Sequence, residues 1–193
     1  MSKRPIEHYQ VLPAGVKSYD QRAPKVAARV GVMIIDRVKM IAEHVPATHF
    51  EHIGSTAVPG CEGKGYIDLL IPFDTDDHRE AIKAALVDLG FQSQATKVVF
   101  PETRPMRTGV YTYDGHQFPL HIHVVPADGE ELKALLLFRD RLRSDPELMK
   151  AYAARKRALV EAGITESPDY AVAKGDFVQA ALLPPKLAPG NPR

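Results

Sequence analysis

Residues Glu51 to Ile71 read EHIGSTAVPGCEGKGYIDLLI, and the fold is decided there. A short strand runs into the turn Gly54-Ser55, and a Gly-rich excursion follows. A second apolar strand then carries one acid, Asp68. Gly54 has no Cβ and lets the chain turn sharply beside a ligand. Ser55 and Thr56 offer hydroxyls and backbone N–H groups at what reads as a short helix start, a natural receptor for phosphate oxygens. A carboxylate inside an apolar run is destabilising unless it is compensated. Asp68 therefore either faces a cleft and holds a divalent cation, or accepts several hydrogen bonds.

Upstream, Val26, Val30, Met33, Ile34, Ile41 and Val45 recur at helical spacing. Pro24 suits the first turn of that helix and Pro46 marks its end. Strands are expected at about 48–53 and 66–72, with a loop over 54–65. A second helix is expected from Thr75 to Leu89, ended by Gly90. Phe91 to Phe100 reads as a further strand. Thr108 to Tyr113 and Phe118 to Val125 read as a hairpin turned by Asp114-Gly115. Beyond Pro126 the pattern is helical: Leu132, Leu135, Leu136, Phe138 and Leu142 share a face. A helix then opens at Asp145-Pro146-Glu147 and runs to about Ala162, and another spans Asp169 to Leu183. The expected class is α+β: a mixed or antiparallel sheet of four or five strands, flanking helices and a helical C-terminal part. Residues 1–21 are expected to form an arm laid across the domain, 22–183 the domain, and 184–193 a loose tail rich in Pro and Gly.

The 193 residues suffice for one core, and 25 basic against 24 acidic side chains give no electrostatic reason to expect nucleic acid or an anionic membrane as partner. No apolar run reaches the roughly 18 residues of a bilayer span, and the first ten residues lack a secretory apolar segment. The expected location is cytoplasmic. The single cysteine, Cys61, excludes an internal disulfide and a thiolate-rich metal site.

No Gly-Lys-Ser/Thr follows the glycines, so the loop is not a Walker A, and no Gly-x-Gly-x-x-Gly is present. Gly-Ser followed by Asp after twelve intervening residues resembles the motif of the DNA polymerase β-like nucleotidyltransferases. More narrowly, FEHIGSTAVPG (Phe50 to Gly60) and Gly63-Lys64-Gly65-Tyr66-Ile67-Asp68 are similar to elements of the GrpB-like family. So are His121-Ile122-His123, Phe138-Arg139-Asp140-Arg141-Leu142-Arg143 and the pair Tyr170 and Lys174. The chain is identified on these as a member of that family. The resemblance implies a nucleotidyltransferase fold in which the Gly-Ser turn holds triphosphate and strand acids bind magnesium. It further implies a nucleoside triphosphate and a small-molecule acceptor as partners. The superfamily places a second acid two residues after the first, where this chain has Leu70.

Candidate catalytic groups are Asp68, Glu51 and His123. Candidate nucleotide-binding groups are Gly54, Ser55, Thr56, Lys64, Arg139 and Lys174, with Arg143 and Lys156 as further basic residues. Candidate metal ligands are Asp68, His121 and His123, for Mg2+ or Mn2+, or for Zn2+ if the histidines ligate. Glu51 reads equally as a buried, paired carboxylate, and Arg139 as half of an ion pair with Asp140. His52 reads either as approaching the phosphates or as capping a neighbouring strand. A monomer and a homodimer are both compatible with the sequence.

Overall fold

The computed structural model describes residues 4–9, 15–93, 100–164 and 167–183. Five strands form one mixed sheet: β1 (Glu51–Ile53), β2 (Ile67–Phe73), β3 (Gln92–Ser93), β4 (Met106–Tyr113) and β5 (His116–Pro126). Their spatial order is β1-β2-β5-β4-β3, with β2 and β5 parallel at the centre and the other pairs antiparallel. Five helices surround it: α1 (Ala23–Ile41), α2 (Asp76–Leu89), α3 (Glu130–Ser144), α4 (Pro146–Glu161) and α5 (Ser167–Leu182).

One face of the sheet is covered by α1 and α2. Val26, Val30, Ile34 and Val38 fall on one stripe of α1. With Ile82, Leu86 and Leu89 of α2 they bury Ile67, Leu69 and Ile71 of β2 and Leu120, Ile122 and Val124 of β5. Each such side chain taken out of water contributes about 1.5–3 kcal/mol, and here both central strands are clamped. Helix α1 ends at Ile41, before the expected boundary near Pro46. Helix α2 begins after Thr75, whose side chain accepts from the His78 amide, and ends at Gly90 with φ of 108°.

The opposite face carries the C-terminal helices. Leu132, Leu135 and Leu136 of α3 pack on Ile53, Leu70 and Val125, whereas Phe138 and Leu142 turn to a second cluster with Val58, Cys61, Tyr152 and Phe177. Asp145 caps α4 by accepting from the Glu147 and Leu148 amides at 3.0 and 2.9 Å. At the hairpin Asp114 and Gly115 both have positive φ, 51° and 70°, the backbone that a two-residue turn requires. Of the strand expected over Phe91–Phe100, Gln92 and Ser93 form ladder pairs among the described residues, and 94–99 lie outside them. Of the arm, Ile6 is buried and Glu7 bridges to Val110, while Lys17 bridges to Gly63 on the Gly-rich loop. The tail at 184–193 lies outside the described residues.

Candidate active site

Strand register assembles the site. Asp68 of β2 lies opposite Ile53 of β1 and His121 of β5, and Leu70 lies opposite Glu51 and His123. Register partners share a face, so Asp68, Leu70, His121 and His123 all turn away from α1 and α2. His121 Nδ1 is 3.3 Å and His123 Nε2 3.6 Å from Asp68 Oδ1, and the three side chains are 18–21% exposed. Burial alone would raise the Asp68 pKa. Hydrogen bonding to His121 and His123, together with their charge, more than reverses this and holds the carboxyl well below the usual range. Gly54 abuts the same carboxylate: at φ 74° and ψ −173° it passes so close that a methyl there would overlap Oδ2.

Beside this group lies a lysine cluster. Lys156 of α4 is buried, donates to the Glu62 carbonyl and sits 3.5 Å from Cys61 Sγ. Lys64 lies 3.8 Å from the centre of the Tyr170 ring, and Lys174 lies 5.7 Å from it. Burial pushes all three ammonium groups down. Lys174 lowers the other two further, and Asp68 partly restores Lys174. A methyl at Gly63 would overlap the Ser55 hydroxyl and lie 3.5 Å from Lys156 Nζ, which places the turn hydroxyl at the edge of the cluster. Among the described residues, the buried Tyr170 hydroxyl is the side-chain polar atom left without a hydrogen-bond partner.

The structure thus brings together Asp68, His121, His123, Gly54, Ser55, Lys64 and Lys174. Glu51 is drawn elsewhere: Arg139 grips its carboxylate at 2.6 Å, reaches the His52 carbonyl at 3.2 Å and pairs with Asp140 at 2.8 Å. This fork ties α3 to β1. Thr56 donates to the Tyr66 carbonyl at 2.9 Å, so its oxygen accepts from His52 Nε2 at 3.0 Å. Arg143 donates to the Ala57 carbonyl at 2.9 Å. Three residues that were not among the candidate site groups join the site. Tyr66 stacks on His121 with ring centres 4.4 Å apart, and its hydroxyl meets that of Tyr9 at 2.6 Å. Tyr66 shares the parity of Asp68 and was readable by strand alternation. Tyr9 has no local signal, and Tyr170 stood in the Tyr170 and Lys174 pair of the resemblance with no role assigned to it.

A pair of magnesium ions, as the resemblance implies, does not fit these residues. Magnesium requires near-octahedral oxygen ligation. Here Leu70 is wholly buried beneath α3 where a second carboxylate would stand, and the neighbours of Asp68 are imidazoles.

The mixed sheet, the Gly-Ser turn and the acid set against it define a nucleotidyltransferase-like α+β protein. The chain belongs to the GrpB protein family, whose profile matches residues 13–183. A UPF0157 protein of Streptomyces coelicolor is 30% identical over 171 residues, covering 89% of this chain and 83% of the relative. One from Pseudomonas aeruginosa is 34% identical over 140 residues, covering 72% of this chain and 55% of the relative. The crystal structure of GrpB from Enterococcus faecalis shares the fold, with a TM-score of 0.63 at 21% identity over 86% of this chain and 96% of that one. A chain of the GLD-2/RNP-8 complex shares it more distantly, at TM-score 0.55 and 10% identity over 83% and 59%.

Proposed function

We propose that this chain binds a nucleoside triphosphate and transfers its nucleoside monophosphate to a small-molecule acceptor. The observation that carries the reading is a group of three partly desolvated lysines near an ionised Asp68: Lys64 and Lys174 about the Tyr170 ring, and Lys156 where Gly63 meets the Ser55 hydroxyl. Three cations crowded together and partly desolvated repel one another, and a polyanion relieves that repulsion. The β- and γ-phosphates would lie on the lysines and the Ser55 hydroxyl, with the α-phosphorus toward Asp68. An acceptor hydroxyl, oriented by the Asp68 carboxylate, forms the new O–P bond as the bond to the β-phosphate oxygen breaks. The hydroxyl proton passes to the Asp68–His123 pair, and pyrophosphate departs on the lysines.

Buried Leu70 favours a second reading, a module that holds a nucleotide or coenzyme without turnover. One experiment separates the two. The chain is incubated with each nucleoside triphosphate, a metabolite pool and a panel of divalent ions, while binding and pyrophosphate release are both measured. Transfer predicts saturable binding with pyrophosphate release, and Lys64→Ala and Lys174→Ala each weaken binding at least tenfold. Binding without release selects the second reading. If the folded chain binds no triphosphate at millimolar concentration, both are wrong.

A further inference from the structure

We propose that Asp68, His121 and His123 form a binding site for one divalent transition-metal ion of the zinc, cobalt or iron(II) kind, in place of the magnesium pair that the fold class implies. Their donor atoms all lie within 4.8 Å of one another. The two edges that meet at Asp68, 3.3 and 3.6 Å, bracket the separation of about 3.3–3.5 Å between ligands placed tetrahedrally at zinc's usual bond lengths. Asp68 is therefore already at ligand-to-ligand distance from both imidazoles, and the two imidazole donors lie within 4.8 Å of each other.

The donors also stand on the stiffest part of the molecule. The strands β2 and β5 are the central parallel pair, with Leu69 and Ile122 fully buried behind the site. Each imidazole has an aromatic wall. Tyr66 lies flat on His121 at 22° between planes and is itself held by Tyr9, and Phe100 stands edge-on to His123 at 6.1 Å. Packing of this kind fixes ring orientation before an ion arrives, which is what supporting contacts around metal ligands accomplish.

Donor chemistry selects the ion. Two imidazole nitrogens and one carboxylate oxygen suit zinc, iron, cobalt or nickel, whereas magnesium is held by oxygen. Three protein ligands leave a position open, and the partial exposure of all three side chains provides access to it. With one carboxylate and two imidazole ligands, a doubly charged ion leaves the centre net positive, with Lys174 close enough to interact with Asp68. An anion is then the natural occupant of the open position, and the ion would polarise its oxygen as a Lewis acid. Binding of the ion does not require transfer; with the ion bound, Asp68 and His123 are occupied as ligands and the acceptor proton of the transfer reading would leave to water instead.

The test uses the full chain without nucleotide, so that its failure is distinct from failure of the nucleotide reading. Chelator-treated protein is titrated calorimetrically with Zn2+, Co2+ and Mg2+. The expected result is one equivalent of Zn2+ or Co2+ bound, with Mg2+ at least a hundredfold weaker. Asp68→Asn, His121→Ala and His123→Ala should each weaken Zn2+ by at least tenfold while retaining the wild-type circular dichroism. A visible Co2+ absorption band in the wild-type chain gives a readout that needs no variant. The proposal is overturned if the folded chain binds no transition ion saturably, if Mg2+ matches Zn2+, or if all three folded variants bind as the wild type does.

Discussion

At the scale of single residues, the site depends on a glycine and a histidine that do not touch the proposed phosphates. Gly54 adopts a backbone open essentially to glycine alone, and its missing Cβ is what lets the turn lie against Asp68. Gly54→Ala should cost about 2–3 kcal/mol in urea unfolding, through backbone strain and displacement of the carboxylate. An unchanged urea midpoint would show that the turn relaxes freely. His52 makes a prediction in pH. Burial, aided by Arg143 and Arg139 and opposed by Asp68, pushes it down to about 4 from an ordinary 6.5. Between those values the unfolded chain takes up the proton and the native one does not, so the unfolded state binds more protons. Stability from this residue is complete above about pH 6.5 and is lost as pH falls toward 4, by about 3 kcal/mol at most. His52→Gln should flatten the pH dependence of urea stability in that window, and an unchanged slope would exclude His52 as its source. The Gly-Ser turn and Asp68 were legible because their chemistry lies within one short stretch. That Glu51 is a paired carboxylate was one of its two readings, but Arg139 as its partner was not legible, because 88 residues separate the two.

At the scale of elements, periodicity reports that a helix has an apolar face and says nothing of what the face meets. The five apolar positions of α3 formed one stripe in the sequence, yet they serve two clusters, one on the sheet and one among α4 and α5. The hairpin was legible because Asp114-Gly115 specifies its own backbone, and the strand expected over Phe91–Phe100 is met at Gln92 and Ser93, with 94–99 outside the described residues. Helix α5 deserves a test as an element, since it brings Tyr170 and Lys174 to the site. Arg141 of α3 anchors its end through the Ala181 and Leu183 carbonyls, and Arg155 of α4 reaches the Ala173 carbonyl at 3.0 Å. Arg141→Ala should speed amide exchange throughout α5 by several-fold while leaving β2 and β5 unchanged. Gly175→Ala should do the reverse: its Cβ would meet open space, and Ala is favoured over Gly in a helix interior by roughly 0.5–1 kcal/mol. Equal effects on helix and sheet would mean that α5 does not open separately.

At the scale of the whole molecule, the sheet divides two unlike environments. On one side α1 and α2 bury a continuous aliphatic core, and on the other α3, α4 and α5 enclose lysines, tyrosines and the Asp68 group. Among the described residues, no helix is long and apolar enough to cross a membrane. The side with buried ammonium groups carries the cost of desolvating them, so it should be the first to open, with the sheet and its aliphatic core opening last. A bound polyphosphate would neutralise those charges and stabilise the state it binds, by about 2.7 kcal/mol at a hundredfold excess over Kd. Hydrogen exchange can locate that stabilisation. With saturating nucleoside triphosphate, protection should rise in α4, α5 and the loop carrying Lys64, and in β2 and β5 as well wherever these exchange through global unfolding, since the ligand stabilises the native state against it. A rise confined to α1 and α2 would place the ligand on the wrong side of the sheet and refute the assignment of the lysine cluster as its seat. Protection in α5 that vanishes in Lys174→Ala, with the helix itself still formed, would tie the effect to that ammonium group.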